Sequence, residues 1–404
     1  MRKLKVVHLS TLPDGGGAFT SVLETHLEML KLENIDSYMV TNANPNGAKI
    51  PKHISIQSNL TFYIRQKMSY FPLVFTEKRT SWSHNFLSQP KLKKILHKIK
   101  PDLIHLHWIG SNFIPISFLR RLPYPIVWTF RDWWAFTGGC HEPITCSKFH
   151  DKCGNCPILG LGFKFDFTYF QKKAKLALLN QPNVYPVFLS KAMQLKLRLQ
   201  KKSIVIPNGI HFENYTSIDK EDAKKKLGLN SKKNYLLFVA SSTSRKNKGF
   251  ELLIKALLRL KSEMDVNLII VGNSTYSTND FNLIKLGFIS NTYQLSLIYS
   301  ATQVCIVPSF LEAFGKVGLE SISCGTPIIA FKDTGISEYA IHQQNAYLLK
   351  RNEPIEAGIK FWLNQGAKFS QEKIRGSVIK SFSWESSAKS YLKYYNIVKK
   401  NSPS

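Results

Sequence analysis

Between two short apolar runs, Val304–Val307 and Ile328–Phe331, lies the stretch PSFLEAFGKVGLESISCGTP, long enough for one helix. Runs of four apolar residues read as buried strands of a parallel sheet, which is covered on both faces. The unit is therefore strand, loop, helix, strand. Glu312 falls in the loop, and Glu320 on the helix that Gly315 opens. In an open parallel sheet that loop lies at the carboxyl edge of the strands, where ligands bind. The helix start offers unpaired amides and positive dipole character to an anion. Two carboxylates eight positions apart also arise by chance, so the rest of the chain has to decide.

A chain of 404 residues exceeds one ordinary core and predicts about two to three domains. Apolar content of 44% with 12% aromatic residues excludes a disordered chain. No uncharged apolar stretch approaches the ~18 residues of a membrane span. The opening MRKLKVVHLS is basic, but its apolar run is too short for a secretory segment. Val6, Val7 and Leu9 fit a first buried strand instead, and the expected location is cytoplasmic. With 55 basic and 27 acidic residues the net charge is +28, which favours an anionic partner. Nucleic acid, a phosphorylated small molecule and the anionic face of a membrane all qualify. KLKKILHKIK (91–100) and KLRLQKK (196–202) have the spacing of interfacial helices, and ordinary amphipathic surface helices share it.

After the first strand, Gly15, Gly16 and Gly17 form a loop feeding a helix with Phe19, Val22, Leu23, Leu27 and Leu30 on one face. A glycine loop at a helix start lets a ligand approach the backbone closely. Its spacing is not G-x-G-x-x-G, so the dinucleotide fingerprint is absent. Further strands are expected near Ser37–Val40, Leu103–Leu106 and from Pro125. The last two end in His107 and Trp108, and in Arg131, Asp132, Trp133 and Trp134, which fits a site at one sheet edge. His105, inside its apolar run, reads as structural.

Cys140, Cys146, Cys153 and Cys156 follow, spaced C-x5-C-x6-C-x2-C. Without an export signal a metal knuckle is favoured over disulfides, and the last pair has structural-zinc spacing. His141 or His150 could replace a thiolate; reduced buried cysteines are the alternative. A closed four-ligand site would brace a loop and run no chemistry.

A domain boundary is expected between about Ser190 and Ser203. It divides a first domain, 1–195, with the cysteine-rich insert 140–156, from a second, 196–385, and a terminal helix and tail, 386–404. In the second domain YLLFVA leads through SSTSRKNK to a helix with Phe250, Leu253, Ile254, Leu257 and Leu258 on one face. Arg245 and Lys248 thus sit at a strand-to-helix junction, where amides and a cation hold phosphate.

The two alternating halves resemble the retaining glycosyltransferases of family four, over nearly the whole chain. The resemblance rests on GGGAFTS, VIPNGIHFENY, NKGFELLIKAL and PSFLEAFGKVGLESISCGTPIIA with TGISEY after it. VWTFRDWWAFTGGCHEPITCSKFHDKCGNCP is similar to a subgroup from bacterial surface-polysaccharide and exopolysaccharide clusters. The implied fold is α/β, the GT-B arrangement of two Rossmann-like domains facing across a cleft, with a C-terminal helix crossing back to the first. The resemblance implies that Glu312 bonds donor-sugar hydroxyls and Glu320 the ribose. It assigns the diphosphate to the amides of Phe314, Gly315, Val317, Gly318 and Leu319, with Lys248 and Arg245 as cations. Gly16 and Gly17 would face the diphosphate from the first domain. The resemblance implies no catalytic metal; the structural zinc expected at the four cysteines rests on their spacing alone.

Two positions depart from the family pattern. Thr243 stands where the phosphate-binding arginine is usual, leaving Arg245 to supply the charge. Arg131-Asp132 replaces a His-Asp pair at the catalytic centre, and arginine cannot act as a base at neutral pH. The expected reaction is sugar transfer from a UDP- or GDP-linked donor to a glycan or polyprenyl-linked oligosaccharide hydroxyl. Its setting would be bacterial surface-polysaccharide synthesis at the inner membrane face, with the acceptor near Trp133, Trp134 and the cysteine block. The alternative, a basic zinc-knuckle protein that binds nucleic acid, explains the charge and cysteines but leaves the two glutamates idle. No nucleic-acid partner is expected.

Overall fold

The computed structural model describes residues 2–11, 16–44, 49–74, 76, 81–197, 199 and 201–402. The chain divides into two compact units, one of Met1–Leu189, Gln194–Ile206 and Ser387–Ser404, the other of Ser190–Met193 and Pro207–Ser386.

The first unit is built on β1 (Leu4–Ser10), β2 (Ile35–Thr41), β3 (His53–Ser55), β4 (Leu103–Leu106), β5 (Ile126–Thr129), β6 (Val184–Phe188) and β7 (Ile204–Val205). They form one sheet in the order β3-β2-β1-β4-β5-β6-β7, and every pairing is parallel. Parallel strands need crossover connections. These are α1 (Gly16–Leu30), α2 (Asn59–Ser69), α3 (Pro90–Ile99), α4 (Ile116–Leu119) and α5 (Phe167–Leu179), with α6 (Lys191–Leu197) after β6. The central strands β4 and β5 are buried at every residue, as their apolar runs require.

The second unit repeats the plan. Its sheet runs β10-β9-β8-β11-β12-β13, from β8 (Leu236–Ser242), β9 (Asn267–Asn273), β10 (Asn282–Lys285), β11 (Val304–Val307), β12 (Ile328–Phe331) and β13 (Ala346–Leu349). The helices are α7 (Lys220–Lys226), α8 (Phe250–Leu260), α9 (Thr292–Ala301), α10 (Lys316–Ser323), α11 (Ile355–Gln365), α12 (Gln371–Ile379) and α13 (Trp384–Asn401). From Ser387 onward α13 belongs to the first unit. Ala388, Tyr391, Tyr395 and Val398 are buried there with Val6, Leu103 and Val127. The α/β architecture, two Rossmann-like sheets and a returning C-terminal helix, is the one the sequence implied.

Each strand order reverses direction once, between β1 and β4 and between β8 and β11. At such a switch point the loops leave to opposite faces and open a crevice at the strands' carboxyl ends. The residues after β8 and β11, and those after β1 and β4, are therefore where a ligand belongs.

Several expectations need correction. In α3, Leu92, Leu96 and Ile99 are buried while the lysines face out, so its apolar face packs inward and is not offered to a membrane. In α1, Phe19 and Val22 are buried but Leu23, Leu27 and Leu30 are only partly so. Ser21, Thr25 and His26 take the inner positions because their polar groups find partners: Thr25 bonds the Ser21 carbonyl and His26 bonds Ser37. In α8, Leu258 is exposed and Leu260 is buried in its place. Among the described residues no helix is long and apolar enough to cross a membrane.

Candidate active site

In the second unit, β8 ends in a loop whose single turn, Lys246–Lys248, is followed by Gly249 and α8. Gly249 has φ +70°, and a Cβ there would lie 2.0 Å from the Pro308 carbonyl oxygen. Only glycine allows this loop to lie against the loop after β11, and the amide of Phe310 then donates to Asn247 O at 2.8 Å. The close approach brings Lys248 Nζ within 2.6 Å of Glu312 Oε1, both side chains largely buried. The sequence separation is 64 residues; the switch point makes them neighbours. The side-chain amide of Asn247 is buried beside them with neither its oxygen nor its nitrogen hydrogen-bonded. A buried amide left open at a crevice is a group that a ligand can satisfy.

Glu312 is held from behind, since its carbonyl accepts the Gly335 amide at 2.8 Å. Gly315, at φ +82°, caps α10, and a side chain there would strike Ile336. Phe314 is buried against Tyr339 and Phe382, which anchors the turn. Tyr339 donates its hydroxyl to the Gly315 carbonyl, and the Gly318 amide turns back on the same oxygen. Gly318 and Leu319 are buried, whereas Lys316 and Val317 are partly exposed in the first turn. Anion-binding capacity at this helix start thus rests on the earliest amides.

One turn on, Glu320 Oε2 accepts the Tyr299 hydroxyl at 3.0 Å. Burial pushes both the Tyr299 and Tyr215 phenols up, and the Glu320 carboxylate adds to the rise. Both stay protonated and so remain donors to that carboxylate, which is oriented and keeps acceptor capacity for a further hydroxyl. Neither tyrosine was singled out from sequence. Arg245 is exposed at the head of its loop. Thr243 is tied to the end of β9, its amide on Asn273 O and its hydroxyl on Ser274.

In the first unit, Gly16 (φ +73°) and Gly17 head α1 and are exposed, and a methyl group at either would meet no protein atom. Gly15 lies outside the described residues. After β5, an Arg131 guanidinium nitrogen donates to His107 Nδ1 at 3.1 Å. His107 then carries its proton on Nε2 and donates to His8 Nδ1 at 3.0 Å. His105 is bonded to Thr129 and to the Tyr395 hydroxyl. Burial pulls the pKa of His8, His105 and His107 well below the usual value, and the Arg131 charge pulls the same way. They are neutral at pH 7.

These three histidines bring donor atoms within 4.8 Å of one another, the geometry of a metal site. Five of their six nitrogens are instead committed to one another, to hydroxyls and to a guanidinium, whose charge opposes a dication; His8 Nε2 is buried without a hydrogen-bond partner. The cluster is a rigid mount for Arg131. His107, which the sequence left open to a site role, serves in that mount.

Asp132 is equally committed. Its Oδ2 accepts from Trp108 Nε1 at 2.8 Å and from His141 Nδ1 at 2.7 Å, and its Oδ1 accepts the Trp134 amide at 2.8 Å. His141 Nε2 in turn accepts from the buried Ser83 hydroxyl at 2.9 Å. With both nitrogens used, His141 cannot substitute for a cysteine as a metal ligand. Trp133 and Trp134 are buried, at 3% and 2% exposure, so neither indole is open to stack on an acceptor sugar. The four cysteines Cys140, Cys146, Cys153 and Cys156 are free thiols lining one cavity. The His150 ring lies tilted against Phe149, with centroids 4.0 Å apart.

Comparison with known proteins follows the same division. A family model described as Glycosyltransferase Family 4 matches residues 15–214, and one described as Glycosyl transferases group 1 matches residues 219–380. A D-inositol 3-phosphate glycosyltransferase of Mycobacteroides abscessus is 26% identical over 208 residues, 47% of this chain and 45% of that protein. The chain spans about half the length of the first curated relatives it matches. Among solved structures, a sucrose-phosphate synthase of Thermosynechococcus elongatus aligns with TM-score 0.72 at 19% identity, covering 98% of this chain and 99% of that one. Anabaena HepE in complex with UDP-glucose aligns with TM-score 0.65 at 18% identity, covering 98% and 100%. At these identities the structural likeness is one of fold.

Proposed function

Because the chain belongs to glycosyltransferase family four, we propose that it moves a sugar from a nucleoside diphosphate donor to a glycan or lipid-linked hydroxyl, with retention of anomeric configuration. The observation that carries this reading is the Lys248–Glu312 pair at the switch point, beside the helix that Gly315 opens. An ammonium has three N–H donors. With one on Glu312, two remain for a diphosphate lying against the first amides of α10. Glu312 keeps acceptor capacity for hydroxyls of the donor sugar. Glu320, oriented by Tyr299, takes the ribose hydroxyls.

In the reaction the bond from the anomeric carbon to the diphosphate oxygen breaks. The acceptor oxygen bonds that carbon on the same face, and its proton passes to the departing phosphate. No protein nucleophile is required. Catalysis comes from stabilising the charge that develops on the leaving diphosphate. Lys248, Arg245 and the helix amides supply that stabilisation without a catalytic metal. Arg131 acts as a fixed positive charge, not as a base. Asp132 acts by holding the Trp108–His141 pair. The donor is a UDP- or GDP-sugar, and HepE, whose solved complex holds UDP-glucose, makes UDP the first candidate.

The acceptor side lies at an anionic membrane surface, in the building of a bacterial surface polysaccharide. Support comes from the outward face of α2, where Leu60, Tyr63, Ile64 and Met68 recur at helical spacing and are all exposed. Phe163 and Phe165, at 69% and 57% exposure, are further exposed aromatic side chains of the same unit, and Lys67 and Lys164 lie over the Tyr63 and Phe165 rings respectively. A net charge of +28 suits lipid headgroups of opposite sign.

Thermal protection tests the donor half. UDP or GDP should raise the melting temperature, whereas protection by polynucleotide alone would favour the nucleic-acid reading. Sedimentation with vesicles tests the membrane half: Ile64→Glu should lower binding to anionic vesicles at low salt. Equal binding to neutral vesicles, or none to either, would remove it.

A further inference from the structure

We infer that Cys140, Cys146, Cys153 and Cys156 bind one structural zinc as a tetrathiolate whose negative charge is matched by the buried ammonium groups of Lys172 and Lys175. The inference stands apart from the sugar-transfer reading, because it concerns a brace and not the reacting atoms.

The four thiols line one cavity, together with Gly138, Gly154 and Lys148. One of them already accepts an N–H bond of the kind that tunes a thiolate ligand: the Gly138 amide donates to Cys153 Sγ at 3.2 Å. Between Cys153 and Cys156 the backbone turns through Gly154 (φ +125°) and Asn155 (φ +42°), the left-handed path that folds a C-x2-C hairpin around a centre.

The second observation is independent of the cysteines. Lys175 has no exposed surface; its ammonium bonds the carbonyls of Trp134 and Thr137 and lies 3.4 Å from the Trp134 ring centroid. Lys172 is 5% exposed and bonds the carbonyls of Phe149 and Asp151. Among the described residues neither forms an ion pair. Two cations buried so deeply are costly, and the opposite charges near them, Asp151 for Lys172 and Asp132 for Lys175, lie beyond ion-pair distance. A Zn²⁺ with four thiolates carries two negative charges, which equals the two ammonium groups.

The sulfurs have yet to close. Among the described residues only the histidine cluster brings three donor atoms within 4.8 Å, while Zn–S bonds of about 2.3 Å need sulfurs about 3.8 Å apart. Metal binding therefore draws the side chains inward by rotation and small loop shifts. The brace acts on the neighbouring loop: the Asn155 amide donates to Phe163 O at 2.8 Å, and the Cys156 amide to Asp166, the N-cap of α5, at 2.7 Å.

Elemental analysis of the full chain, purified without chelator, should find stoichiometric zinc. Exchange into cobalt should give sulfur-to-cobalt charge transfer and the visible bands of a tetrahedral site. Cys153→Ser should lose the metal and Cys305→Ser, in β11, should keep it. Lys172→Met should release zinc to a chelator faster than the wild-type chain. Substoichiometric zinc in the wild-type protein, with the four residues titrating as thiols or recovered as disulfides, would overturn the site. Equal release from Lys172→Met would overturn the charge matching.

Discussion

At the scale of single residues, the assignment depends on a few side chains whose surroundings differ. Glu312 is paired with Lys248, whereas Glu320 is oriented by buried phenols. Glu312→Gln keeps the shape and one acceptor but removes the charge. Transfer should fall by at least about 100-fold, while the unfolding midpoint moves by no more than about 1 kcal/mol equivalent. Activity near wild type would remove Glu312 from the site. Tyr299→Phe leaves Glu320 without that donor, so UDP should bind about tenfold more weakly by calorimetry. Glu312 and Lys248 could be picked from the sequence because each sits at a strand-to-helix junction, and Glu320 because it lies on the helix that follows one. Tyr215 and Tyr299 could not: they are 105 and 21 positions from Glu320, in segments that look like ordinary core. The Asp132 network was hidden for the same reason, since Trp108, His141 and Ser83 meet only through the fold.

Among the elements, those with continuous apolar runs were legible. β11 and β12 span the residues that the sequence marked as buried strands. The edge strands β3 and β10 were not, because their residues are only partly buried or exposed and carry no run. β13, also at an edge, is half-buried at Tyr347 and Leu348. The lysine-rich helix α3 has the spacing of an interfacial helix, and only packing reveals that its apolar side is filled. Loop geometry gives the sharpest prediction here. Gly249→Ala puts a Cβ against the Pro308 carbonyl in a left-handed backbone, so the second unit should lose about 2 kcal/mol or more by urea unfolding. Donor affinity should fall with it, because the same approach seats Lys248. A stable Gly249→Ala variant with unchanged UDP affinity would contradict that account of the loop.

For the whole molecule, buried histidines give stability a pH dependence. His26 and His84 are pulled down to about 4, chiefly by burial, and His8, His105 and His107 lie well below 6.5. The unfolded chain binds these protons near pH 6.5, before the folded chain does. Stability is therefore fully present above that pH and is lost as pH falls toward the folded values, at up to ~1.4 kcal/mol per pH unit for each imidazole. Urea midpoints should drop between about pH 7 and about pH 5; a flat profile would mean that the histidines are not buried neutral.

The central claim is that the chain is a retaining nucleotide-sugar transferase. The most direct measurement offers purified enzyme a panel of UDP- and GDP-sugars without added divalent cation and determines by NMR the anomeric configuration of the sugar as it is released or transferred. The account predicts turnover of at least one donor with its configuration kept, abolished in Glu312→Gln. Inverted product, or no turnover of any donor by a folded enzyme that UDP and GDP fail to stabilise, would contradict it.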